Sequence, residues 1–247
     1  MLLGNVIIGG ITSGAGALIG GHPILPAIGK GAAGGAVAYA GKEIIAREGS
    51  LAAWTGRQVG ALGASAVANA ARGRSVVSEL VLPVGPVRLY VVPRSKSVQP
   101  RVDVAGVLAF ALVSIKTNTT LDLSASVRSG AMVFSQNVRY GEAPGVHRAG
   151  VLRIDELPLI TTRDGEEFAE IGVRTHELIH ASQYDFASIA WGGPLERAVL
   201  GRSKTGKSLG KYVDFGFILP LWSLANGMTA PRNRPWEREA NSLAPGG

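Results

Sequence analysis

His176-Glu177-Leu178-Ile179-His180, set within the run from Glu167 to Gln183, is the stretch from which the rest of this chain is read. Histidines four residues apart fall on one face of a helix, so two imidazoles can converge on a single metal ion. The glutamate between them is placed to hold and deprotonate a metal-bound water. With only 4 histidines in the chain, shuffling its residues would produce this spacing in roughly two or three sequences per thousand. The pattern predicts a zinc site with His176 and His180 as ligands and Glu177 as general base. A surface helix carrying two idle histidines is the competing reading.

The sequence around the motif predicts a helix from about Gly165 to Tyr184. Asp164 supplies an N-cap with Glu167 three residues on, and an acidic first turn complements the helix dipole. Phe168, Ile171, Thr175, Ile179 and Ser182 fall on an inward side, with His176 and His180 facing a cleft. Trp191-Gly192-Gly193-Pro194 ends the following segment, and Leu195 to Leu200 starts a short helix. His22 and His147 lack ligand spacing and read as ordinary surface residues.

Upstream of the motif, from Ser75 to about residue 160, the content is β-type. Ser78 to Val92 predicts a bent strand or two short ones around Pro83-Val84-Gly85-Pro86. Strands are predicted at Val102 to Ile115, at Thr119 to Phe134 through the alternation Leu121, Leu123, Ala125 and Val127, and at Val146 to Ile154, with a hairpin turn at Lys116-Thr117-Asn118. Together they predict a mostly antiparallel sheet of about four to six strands. Val151 to Ile154 is the candidate edge strand for holding an extended peptide by strand addition.

Downstream, Pro235 opens a terminal helix containing Trp236-Glu237-Arg238-Glu239-Ala240-Asn241. The pairing of His176-Glu177-Leu178-Ile179-His180 with Glu237-Arg238-Glu239-Ala240-Asn241 resembles the gluzincin zinc metallopeptidases, notably the HtpX-like and CAAX-prenyl-protease membrane endopeptidases. Their second motif reads Glu-x-x-Ala-Asp. The resemblance implies His176, His180 and Glu237 as zinc ligands, Glu177 as catalytic base and peptide-bond hydrolysis as the reaction. Asn241 stands where those enzymes carry Asp, and Glu239 competes with Glu237 as third ligand. The chain also resembles uncharacterised bacterial proteins with a short HExxH-x-x-Gln core and a Pro-aromatic-Glu-x-Glu-Ala tail, matched by Gln183 and by Pro235 to Ala240. The likeness covers residues 165 to 243. Tyr212, in Lys211-Tyr212-Val213-Asp214, is the candidate donor to a developing oxyanion; a Tyr with its ring in the core is the alternative. The apolar run Phe215 to Leu224 reads as core.

The first 75 residues differ in kind. Asn5 to Gly21 is an uncharged stretch, Gly21 to Pro26 a turn, and Ala27 to Ala46 a second apolar stretch holding Lys30, Lys42 and Glu43, which predicts two helices. Leu51 to Arg72 predicts a third. Small residues four apart, as at Gly31 and Gly35 or Gly56 and Gly60, let helix backbones approach closely, as membrane helix pairs do. A bilayer hairpin and a helical module packed on a globular partner are both compatible with this pattern. Insertion as a hairpin would leave both ends cytoplasmic, because Lys42, Arg47 and Arg57 follow the second arm. Met1-Leu2-Leu3 has no basic n-region, so the segment is expected to be retained rather than cleaved.

Composition agrees with membrane or partner association: 34 glycines, 46% hydrophobic and only 17% charged residues, with a net charge of +7. The basic residues are scattered without interleaved aromatics, which predicts no nucleic-acid partner. The absence of cysteine excludes disulfides and thiolate chemistry.

The resulting expectation is an α+β protein with a Gly/Ala-rich helical module at 1–75 and a β-sheet plus metallopeptidase-like helical domain at 76–247. Its cofactor would be Zn2+, its substrate a peptide or protein. Lipid or a larger membrane protein assembly would be met through the N-terminal module, at the bacterial inner membrane. The other expectation is a non-catalytic subunit of such an assembly that keeps a metallopeptidase-like fold.

Overall fold

A computed structural model describes residues 1–47, 49–104, 107–108, 111, 119–136, 150–151, 160–163, 171–216 and 234–244. The chain is a mixed α+β fold. It opens with three helices, α1 (Leu2–Ile19), α2 (Ile24–Ile45) and α3 (Ser50–Ala71), close to the predicted bounds. Gly21, with φ +67°, and Pro23 make the turn between the first two. The recurring glycines are contact points within this unit. A Cβ on Gly35 of α2 would stand 2.1 Å from the Asn5 carbonyl oxygen of α1, and one on Gly41 of α2 would stand 2.4 Å from the Gly60 nitrogen of α3. Such spacings close the helix axes to distances no larger residue permits.

Next come β1 (Leu80–Val84), β2 (Val87–Val92), β3 (Ser97–Asp103), β4 (Thr119–Leu121), α4 (Leu123–Ser129), β5 (Val133–Gln136), β6 (Gly150–Val151) and β7 (Ile160–Arg163). The motif helix α5 (Ile171–Ala187) passes through a π-turn at Ser188–Gly192 into α6 (Gly193–Leu200), and α7 (Lys204–Leu209), β8 (Val213–Asp214) and α8 (Pro235–Leu243) follow. The single mostly antiparallel sheet expected from the sequence is instead two four-stranded sheets, ordered β1-β2-β3-β8 and β4-β5-β7-β6. Each contains one parallel pair, β3 with β8 and β5 with β7.

Three local expectations are corrected. The strand predicted from Thr119 to Phe134 is broken by α4, because the Asp122 carboxylate caps it by accepting from the Ala125 N–H at 2.8 Å and Gly130, at φ +68°, ends it. Leu123 and Val127, each 68% exposed, mark no buried strand face. The strand predicted from Val102 to Ile115 stops at Asp103, whose N–H donates to the Pro86 carbonyl at 2.8 Å and whose carboxylate turns inward; the described residues 104, 107, 108 and 111 are helical. The predicted break at Trp191-Gly192-Gly193-Pro194 is bridged by the π-turn. Pro194 lies in the first turn of α6, directly after the π-turn. Lys116 to Asn118, residues 137–149, 152–159 and 164–170 fall outside the described residues, so the hairpin turn, His147, most of the Val146 to Ile154 strand and the Asp164 cap do too. Residues 217–233, with most of the Phe215 to Leu224 run, also lie outside them.

The change of element type falls at the turn after α3, but the core does not divide there. One buried cluster joins Ile45 and Ala53 to Val133, Leu178, Ile179 and Ala240; another joins Ala61 and Ala64 to Val81, Tyr90 and Ile189. Trp191 Nε1 also donates to Thr12 Oγ1 at 2.9 Å, tying α1 to the π-turn.

Beneath the first sheet lies a buried ionic cluster. Arg88, 2% exposed, donates to Asp103 at 2.8 Å and to Asp214, and Tyr90 Oη donates to Asp214 at 2.9 Å. Glu196 is pushed up to about 8, first by burial and then by its hydrogen bond to Asp214. Burial would raise Asp214 as well, but the Arg88 guanidinium and the Glu196 and Tyr90 hydrogen bonds hold it down to about 2. The Glu196 contribution to stability is therefore complete below the ordinary carboxyl value and is lost as pH rises through about 8. The Asp214 contribution is present above the ordinary value and is lost as pH falls through about 2. We expect thermal melts from about pH 5 to about pH 9 to show declining stability for the wild type, and Glu196→Gln to flatten that decline. A decline of equal slope in the variant would locate its source elsewhere.

Candidate metal centre

Helix α5 runs through the middle of the molecule. Thr175, Ile179 and Ser182 are buried at 1%, 0% and 3% exposure, as the helical period predicted, but Leu178, Tyr184 and Asp185 on other sides are buried too. The helix is enclosed because α2, α3 and α8 all pack on it. Burying Leu178 and Ile179 completely contributes about 1.5–3 kcal/mol each and holds the motif rigidly.

One edge of this helix remains reachable. The His176 side chain is 22% exposed, that of His180 11% and that of Glu237, on α8, 25%. His176 Nε2 and His180 Nε2 lie 3.0 Å apart, and Glu237 Oε2 lies 3.5 Å and 3.3 Å from them. Tetrahedral coordination with bonds of about 2.0–2.1 Å separates ligand atoms by about 3.3 Å. The observed triangle, with sides 3.0, 3.3 and 3.5 Å, has a circumradius of about 1.9 Å, so one ion just off its plane reaches all three atoms at that bond length. Two imidazole nitrogens and a carboxylate oxygen suit a divalent first-row metal. The group could hold a metal ion.

The choice between Glu237 and Glu239 is made by α2. Lys42 Nζ donates to Glu239 Oε2 at 2.6 Å, Asn5 Nδ2 donates to Glu239 Oε1 at 2.5 Å, and Lys42 Nζ also donates to Asn5 Oδ1 at 2.9 Å. Glu239, 7% exposed, is thereby committed to an ion pair with Lys42, 4% exposed, and Glu237 is left facing the histidines.

Gln183 links the two halves of this arrangement. Its Nε2 donates to Glu239 Oε2 at 2.9 Å and to the Trp236 carbonyl at 3.1 Å, both pure acceptors, so its Oε1 must be the atom 2.8 Å from His180 Nδ1. A carbonyl oxygen accepts only, which places the proton of a neutral His180 ring on Nδ1 and leaves Nε2 bare toward the other two ligand atoms. Sequence reading matched Gln183 to a motif without assigning it this role, took Lys42 only as a signal of membrane topology, and gave Asn5 no role. The one available signal was a lysine inside an apolar helix, which needs a partner when buried.

No protein-family model, curated protein or solved structure matches this chain.

The atoms that could hold a metal ion are also proton-binding atoms, and their electrostatics are strongly coupled. In their protonated forms His176 and His180 donate to Glu237 and hold its carboxyl well below the usual range, against the effect of burial. Burial alone would lower His180, but the Glu237 hydrogen bond and the nearby Glu177 charge push it up. Glu177 is 7% exposed, its carboxyl is raised first by burial, and its buried Oε2 has no hydrogen-bond partner among the described residues. A buried acceptor with an unused lone pair beside a metal-sized donor set is equipped to take a proton. Tyr212 stands apart from this group: it is 67% exposed at the start of β8, its carbonyl accepts from the Val102 N–H at 2.9 Å, and among the described residues no contact joins it to His176, His180 or Glu237. His22 is exposed.

Proposed function

We propose that the chain is a membrane-associated, zinc-dependent, metallopeptidase-like hydrolase of peptide bonds. The observation that carries this reading is the close triangle of His176, His180 and Glu237 donor atoms with the buried, unpartnered oxygen of Glu177 on the same helix. Bound there, zinc would polarise a carbonyl and make a water more acidic. His176 and His180 would hold the ion from α5 and Glu237 from α8, in a zincin-like arrangement of helices. Glu177 takes the proton of the attacking water and returns it to the leaving amine. The end strand of the second sheet, Gly150–Val151, offers an edge to which an extended peptide could add.

Membrane association rests on α1. It is long and apolar enough to cross a membrane by length and composition. Leu3 at 69%, Ile11 at 65%, Leu18 at 65%, Ile19 at 88% and Leu25 at 81% exposure line its outer side and the start of α2. A chain of net charge +7 would be drawn to the anionic inner face of a bacterial membrane. The same apolar face favours a second reading, a non-catalytic subunit that docks on a larger membrane protein assembly.

Elemental mass spectrometry on protein purified without chelator or nickel affinity separates the two. One zinc per chain, lost in Glu237→Ala, is the expected result, with affinity falling beyond the about 100-fold seen when an outer-shell partner is removed. A folded wild-type sample without metal would overturn the hydrolase in favour of the docking subunit.

A further inference from the structure

The most unusual feature outside the ligand triangle is that its supports come from the N-terminal helices. Lys42 and Asn5 belong to the apolar α1–α2 hairpin, yet their polar ends converge on Glu239, and Glu239 leads by two routes to the ligands. Through Gln183 it reaches His180 Nδ1, the nitrogen whose proton sets which ring atom is free. Through α8 it reaches Glu237, two residues earlier on the same short helix. Lys42, Glu239 and Gln183 are 4%, 7% and 6% exposed, so no solvent is at hand to replace a lost partner. Without the ammonium, a buried carboxylate is stranded, and the nearest relief is a shift of the first turns of α8 or a turn of the Gln183 amide. Either movement displaces a metal ligand.

We propose that Lys42, supported by Asn5, is a positioning residue of the metal centre, and that seating of the α1–α2 hairpin sets its metal affinity. This rests on the zinc reading of the triangle. The hairpin then does more than present an apolar face. Whatever lifts or shifts it, a membrane surface or a docked protein, loosens His180 and Glu237 together, while His176 is reached by neither route.

The test measures zinc affinity of the full-length protein by competition with a chromophoric chelator. Lys42→Met should weaken zinc by about 10–100-fold. Arg57→Met is the control, because Arg57 also forms a buried ion pair onto α5, with Asp185 at 2.6 Å, but makes no contact with the Glu239 relay. It should lower stability as Lys42→Met does while leaving zinc affinity within a factor of about two, and equal weakening by both variants would overturn the proposal. Should Lys42→Met fail to fold, Asn5→Ala removes one donor to Glu239 without stranding a charge, and an unchanged affinity in that variant would also overturn it. A second readout needs no metal. Long-range nitrogen–proton spectra of the neutral His180 ring should show the Nδ1–H form in the wild type and a mixture in Lys42→Met; an unaltered ring would overturn the relay. No zinc on the wild type, together with this tautomer shift in Lys42→Met, would end the zinc reading and leave the relay standing. A wild type that binds zinc with affinity insensitive to Lys42 would end the relay alone.

Discussion

Glu177→Gln should leave zinc at one per chain and reduce peptide hydrolysis by roughly 10²–10⁴-fold. The substitution keeps the size and burial of the side chain and removes only its capacity to accept and return a proton. Glu177 lies outside the group of donor atoms that could hold a metal ion, which is made by His176, His180 and Glu237. Metal content and affinity should therefore be those of the wild type, and melting temperature should not fall, since a neutral amide replaces a buried carboxylate whose Oε2 has no partner. Turnover and metal content measured on the same preparation make the result unambiguous. Hydrolysis at the wild-type rate would rule out Glu177 as the general base, whatever the metal does. Loss of metal together with hydrolysis would make Glu177 a structural part of the centre.

Arg88→Met should cost about 3–5 kcal/mol of folding stability, on the order of 1–2 M in the midpoint of urea unfolding. Arg88 lies at 2% exposure between Asp103 and Asp214, and its ring neighbour Tyr184, 5.9 Å from the guanidinium carbon, sits on the motif helix. Removing the guanidinium takes away the cation that both buried carboxylates share. The cost comes from those stranded charges and not from any large net gain in the wild-type cluster, because burying an ion pair takes back much of its Coulombic attraction. Adding Asp103→Asn and Asp214→Asn to Arg88→Met should accordingly recover part of the loss. A single variant within about 1 kcal/mol of wild type would mean that the cluster is open to water in solution. Zinc affinity in the triple variant should be close to that of the wild type, since no member of this cluster touches Gln183, Glu239 or Glu237 among the described residues.

The sequence by itself determined what depends on neighbours along the chain. The helical period places His176 and His180 together, Gly21 and Pro23 separate α1 from α2, and Pro235 starts α8. The same local reading failed from Thr119 to Phe134, where an apolar alternation of period two was outweighed by the Asp122 cap and the Gly130 stop. Only the tertiary structure decided between Glu237 and Glu239. The motif resemblance favours Glu237 and leaves Glu239, on another face of the same helix, as its competitor. They part because Lys42, 197 residues before Glu239, draws that side chain into a buried ion pair and leaves Glu237 to the histidines. A buried charge must find its counterpart wherever the fold brings one, and no periodicity along the chain records where that is.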